Sequence, residues 1–127
     1  MIADTVIHPT AEVPPGVPVG EGSVILVHAH LSITAHIGRH VYVSHGAMVT
    51  HDCVVEDFVS VMPNASVSGT ARLGRSCTIG ANAAVIECRQ VGAGAMVGAG
   101  AVVINDIPPG VTAVGAPARW KAKLHAA

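Results

Sequence analysis

Val49-Thr50-His51-Asp52-Cys53-Val54 is one unit of a repeat that runs through nearly the whole chain. Stepping back from Val49 six residues at a time gives Val43, Ile37, Leu31, Ile25, Val19, Val13 and Ile7. Stepping forward gives Val55, Val61, Val67, Leu73, Ile79, Val85, Val91, Val97 and Val103. Val, Ile and Leu make up 34 of the 127 residues, so seventeen in unbroken register is no accident of composition. Four positions after each marker stands a second small or β-branched residue: Ala29, Ala35, Val41, Ala47, Cys53, Val59, Ala65, Ala71, Cys77, Ala83, Ala95 and Ala101 among them. Arg89 is the exception. Glycine often follows the marker directly, as at Gly20, Gly38, Gly74, Gly80, Gly92 and Gly98. There it is expected to let the chain bend between short flat pieces.

A period of six matches neither the 3.6 of an α-helix nor the alternation of a simple strand, and marks a hexapeptide parallel β-helix. From about Ile7 to Pro108 the chain resembles the left-handed β-helix family, in which three hexads close one triangular coil. The resemblance, not the period, implies the handedness, since most parallel crossovers are right-handed. It also implies a ruler: residues eighteen apart stack on neighbouring coils, roughly 4.7–4.9 Å away. The fold class expected is therefore all-β, a single domain over 1–127. It comprises a β-helix over 7–108 and a C-terminal strand and capping helix over 109–127. The strand falls on Val111–Gly115 and the helix on Ala118–Leu124.

Composition narrows the function classes. One Trp, one Tyr and one Phe leave Val and Ala to fill the core, which suits narrow strands. Seven Lys and Arg against eight Asp and Glu make no basic field for nucleic acid or an anionic membrane. The N-terminus has no signal-peptide pattern and no apolar run is long enough to span a membrane, so a cytoplasmic protein is expected. Cys53, Cys77 and Cys88 are odd in number and lack metal-ligand spacing, and read as reduced packing residues. Apolar residues in outward slots (Leu26, Ile33, Tyr42, Met48, Val54 and Met62 among them) point to a subunit interface.

His51 stands out among eight histidines by its surroundings. His51-Asp52-Cys53-Val54-Val55-Glu56-Asp57-Phe58, followed by Pro63, Ala65, Ser68 and Gly69, resembles the sialic-acid O-acetyltransferases and amino-sugar N-acetyltransferases of bacterial surface-glycan pathways. An acceptor hydroxyl or ammonium needs a base before it can attack, and imidazole titrates in the right range. The resemblance implies that His51 is this base, that Asp52 orients it, and that the Gly69 amide holds the thioester oxygen. The eighteen-residue ruler independently sets Gly69 one coil from His51. The resemblance further implies acetyl-CoA as cosubstrate, with contacts at Ser60, Gly69, Ala81 and Ala99 and no metal. It implies a homotrimer with sites between subunits, and an amino sugar or sugar nucleotide as acceptor. Pro63, Ala81 and Ala99 form a small outward column expected to carry pantetheine past His51 and Gly69. Arg119, Lys121 and Lys123 are either CoA-phosphate contacts or an ordinary solvated helix face.

Two features depart from those relatives. Ser60 stands where many carry a second histidine, and the chain begins directly with the repeat where they carry an N-terminal sugar-nucleotide domain. Two other readings compete. One is a γ-class carbonic anhydrase, for which His40 and His45 have the right separation but the wrong hexad phase. The other is a non-catalytic β-helix scaffold, which predicts uniformly polar bends.

Overall fold

In the computed structural model, which describes residues 3–121, the fourteen markers from Ile25 to Val103 become the inward-facing ends of very short strands. Each of these strands is two residues long: the second points into the core and the first outward. Ile7 ends a strand that is exposed, Val13 lies in no strand and Val19 makes an isolated bridge to Ile37. All strand pairings are parallel, and most join residues eighteen apart, such as Tyr42 with Ser60 and Met48 with Ser66. The hexad repeat thus stacks as three sheets around a narrow core. Sheet I includes Tyr42–Val43, Ser60–Val61, Thr78–Ile79 and Met96–Val97; sheet II includes Met48–Val49, Ser66–Val67 and Ala84–Val85; sheet III includes Val54–Val55 and Arg72–Leu73. From Ser23 to Ala101 the residues four after each marker are also buried, Arg89 excepted, so one Val, Ile or Leu and one small residue per hexad fill the interior. No room is left for aromatic side chains, which is why the chain can do without them.

Three turn columns join the sheets and form the edges of the prism. They are named here by one residue each. The Ala81 edge links sheet I to sheet II, the His51 edge links sheet II to sheet III, and the Arg75 edge links sheet III back to sheet I.

The bends are made differently from the sequence expectation. Left-handed backbone falls three residues after the marker, at Gly46, Asp52, Phe58, Asn64 and Thr70 in successive hexads. The glycines that directly follow a marker do not have this conformation. They are needed for space: a Cβ at Gly74 would lie 2.6 Å from the Ala93 nitrogen, and one at Gly80 2.6 Å from the Val97 oxygen. Asp and Asn tolerate left-handed φ, whereas Thr34 and Thr70 adopt it at a steric cost.

The last coil is shorter. Val91 bridges Ile107, and Met96 pairs with Thr112, both sixteen residues apart. The Pro108-Pro109-Gly110 exit therefore still belongs to the solenoid, and the strand expected at Val111–Gly115 forms over Thr112–Ala113. The capping helix does not begin within the described residues. Instead the chain turns at 115–118, and Val114 and Arg119 exchange N–H···O bonds of 2.9 Å each way, satisfying backbone groups that a helix would have used. Ala118 is buried and its N–H donates to the Val102 carbonyl at 2.8 Å, so this turn closes part of the end. Residues 122–127, including Lys123, lie outside the described residues.

Candidate active site

His51 and Asp52 form the turn between sheets II and III, and both side chains are exposed on the edge. Gly69 lies directly over them on the next coil. A Cβ built on Gly69 would lie 3.0 Å from His51 Nδ1 and closer still to Cε1 and Nε2. The imidazole fills the volume that any side chain at this position would need. The amide after Gly69 ties the coils together, Thr70 N–H donating to the His51 carbonyl at 2.9 Å. Gly69 is buried beneath the ring, and its own N–H has no hydrogen-bond partner among the described residues.

Asp52 is held from the coil on the other side. Its N–H donates to Thr34 Oγ1 at 3.1 Å, and its carboxylate lies 3.4 Å from His51 Nδ1. That last distance is long for a hydrogen bond. The Thr34 hydroxyl foremost, and then the His51 ring, hold the Asp52 carboxyl below the ordinary carboxylate range, so it is an anion at neutral pH. Thr34 was not singled out from sequence, although it stands eighteen residues before Asp52.

The expected cofactor residues lie elsewhere on the prism. Ala81 and Ala99 are turn residues of the Ala81 edge, and Ser60 faces outward from sheet I just before the same edge. The column Pro63, Ala81, Ala99 is real, but in one chain it does not run past His51 and Gly69: the width of sheet II separates the two edges. The expected residues thus fall into two groups, His51, Asp52 and Gly69 on one side and Ser60, Ala81 and Ala99 on the other. The N–H groups of Ala81 and Ala99, like that of Gly69, carry no intrachain hydrogen bond among the described residues.

The two buried cysteines offer no nucleophile here; Cys88 is exposed on the same edge, its N–H donating to the Gly69 carbonyl at 3.0 Å. Burial pushes the Cys77 thiol up to about 12 and raises that of Cys53, whose sulfur donates to the Ser68 carbonyl at 3.1 Å. His40 and His45, the pair weighed for a metal, stand on different edges and do not converge.

No family model matches the chain. It is 34% identical over 120 residues to a GDP-perosamine N-acetyltransferase of Escherichia coli O157:H7, a match covering 91% of this chain and 54% of that protein. Among solved structures it superimposes with a TM-score of 0.94 on a histidine-to-alanine mutant of GDP-perosamine N-acetyltransferase from Caulobacter crescentus, in complex with CoA and GDP-perosamine. That match has 32% identity and covers 97% of this chain and 59% of the other. The acetyltransferase domain of PglB from Neisseria gonorrhoeae FA1090, in complex with acetyl coenzyme A, gives a TM-score of 0.93 at 37% identity, covering 95% and 59%. Over almost its whole length the chain is thus similar to these acetyltransferases. Its coil is a left-handed parallel β-helix. It spans little more than half the length of these relatives.

Proposed function

We propose that this chain carries the acyl-transfer centre of an acetyl-CoA-dependent acetyltransferase acting on an amine or hydroxyl of a sugar nucleotide or similar small molecule. The observation that carries the proposal is the His51 ring lying over Gly69, which brings a base and a free backbone donor to one spot. Relatives solved with CoA, acetyl-CoA and GDP-perosamine support the substrate classes.

In this reading Asp52 accepts the Nδ1 proton of His51, and Nε2 takes a proton from the acceptor as its nitrogen or oxygen attacks the thioester carbon. The oxygen of the tetrahedral intermediate is held by the Gly69 N–H, where a fixed donor is worth most because charge develops there. Collapse breaks the carbon–sulfur bond, and the imidazolium returns its proton to the departing CoA thiolate. Acetyl moves from sulfur to nitrogen or oxygen with no covalent enzyme intermediate.

One chain separates its two groups of site residues, so the site is completed between copies. A threefold assembly with sheet II turned towards the axis brings the His51 edge of one copy against the Ala81 edge of the next. The charge distribution supports this orientation. Arg39, Glu56, Asp57 and Arg75 gather on the Arg75 edge, opposite sheet II, while the turns of the Ala81 edge carry no charged residue. From Met48 onward the outward residues of sheet II are Met48, Ser66, Ala84 and Val102, none of them charged.

The test is release of free CoA thiol from acetyl-CoA in the presence of amino-sugar nucleotides. His51→Ala is expected to lose roughly 10²–10⁴-fold in turnover while acetyl-CoA binding persists. Undiminished turnover in that variant would overturn the assignment.

A further inference from the structure

The seam described above has a fixed register. Rotation about an axis parallel to the coil axis leaves height unchanged, so each coil of one copy meets the same coil of its neighbour. His45 and His51 belong to the same coil, His45 on the Ala81 edge and His51 on the His51 edge. One coil further on, Gly69 meets Pro63, and one beyond that Glu87 meets Ala81. The residue facing the base across the seam is therefore His45 of the neighbouring copy.

We infer that His45 of one copy binds the acceptor that His51 of the next copy deprotonates. This inference rests on the acyl-transfer reading and its threefold assembly. The column Pro63, Ala81, Ala99 runs from the Gly69 level towards the C-terminal coils, which assigns that half of the seam to the pantetheine arm. The acceptor is left the N-terminal half, at and below the His51 level. There the Ala81 edge changes character: the column that is alanine and proline above presents the exposed side chain of His45, and one coil lower Val27, with the exposed His28 beside it. His45 is not engaged in its own chain. Its Nδ1 lies 3.5 Å from Ser44 Oγ, at the limit of a hydrogen bond, and Nε2 has no partner among the described residues. An imidazole with a free ring nitrogen both donates and accepts, which suits a hydroxyl-bearing ring such as an amino sugar. Its carbonyl is fixed, accepting from Asn64 N–H at 3.1 Å, so the backbone beneath the ring is held in place.

The inference is tested by mixing two variants. His45→Ala homotrimers are expected to show an acceptor KM raised about tenfold or more with the acetyl-CoA KM little changed, the value of one or two lost polar contacts to a bound ligand. His45→Asn, which keeps a donor and an acceptor, should recover part of that loss. His51→Ala homotrimers should be inactive. When the two variants are unfolded and refolded together at equal amounts, about one seam in four pairs an intact His51 with an intact His45, because the contacts of a cyclic trimer are head-to-tail. At acceptor concentrations too low for His45→Ala alone, turnover should return to about that fraction of wild type. No return of turnover in mixed trimers, or an unchanged acceptor KM in His45→Ala, would overturn the inference. Full turnover by His51→Ala homotrimers would instead overturn the acyl-transfer reading beneath it.

Discussion

The imidazole of His51 occupies the position from which a side chain at Gly69 would grow. The side chain of His51 is 62% exposed, so nothing prevents the ring from swinging away. Gly69→Ala should therefore fold normally, with little change in thermal midpoint, because the added methyl displaces only the free end of a surface side chain. The base would be moved by an ångström or more from the oxyanion donor, and turnover should fall about 10²-fold. Steady-state kinetics beside a melting curve checks this. A large drop in the midpoint with normal specific activity would show that the glycine serves folding instead.

In the proposed mechanism Asp52, whose carboxylate lies 3.4 Å from His51 Nδ1, orients the base. Asp52→Asn keeps the shape and removes the charge. Without the carboxylate the ring loses the acceptor that orients it, so turnover should fall by about tenfold, less than for loss of His51. Turnover identical to wild type would remove Asp52 from the mechanism.

Asp57 sits on the Arg75 edge, accepting the Arg39 N–H at 2.8 Å and the Arg39 guanidinium at 3.3 Å. The Arg39 backbone bond above all holds its carboxyl below the usual range. A depressed carboxylate contributes stability that is fully present above its unfolded pKa, near 4, and is lost as pH falls through the lower folded value. Asp57→Asn should therefore melt below wild type at pH 7, with the gap closing below about pH 4. A gap that persists unchanged at low pH would mean that packing, not charge, is what the carboxylate supplies.

Cys88 is exposed, whereas Cys53 and Cys77 are buried and their thiols are raised. A thiol reagent at pH 8 should modify one cysteine of three quickly and reach the other two only on unfolding. Mass spectrometry of the fast product identifies the site. Fast labelling of Cys77 would contradict its place in the core.

Much of this was legible because a solenoid turns sequence distance into spatial distance. The marker series placed the strands from Val24–Ile25 to Val102–Val103, and counting in eighteens put Gly69 over His51. The same count would have placed Thr34 against Asp52. It would also have separated Ala81 from His51, thirty residues away and so one coil plus two hexads round the prism. That column was chosen by the smallness of its side chains, which says nothing of the edge it occupies. The glycines misled for a related reason: glycine relieves both strain and crowding, and sequence does not say which. At Gly74 and Gly80 crowding by the next coil decides, while residues such as Phe58 and Thr70 carry the left-handed turns. The helix expected from Ala118 does not begin within the described residues, where two backbone bonds between Val114 and Arg119 hold a turn instead.

The stacking of partners eighteen residues apart sets which insertions the chain can accept. One added coil between Gly69 and Ala81 would lengthen the prism and leave every later residue on its own edge. One added hexad at the same place would turn everything after it by a third of a revolution, carrying Ala81 to a different edge while the core remained filled. Changes of length in this chain are thus quantised: steps of six keep the core filled, and only steps of eighteen keep each residue on its edge.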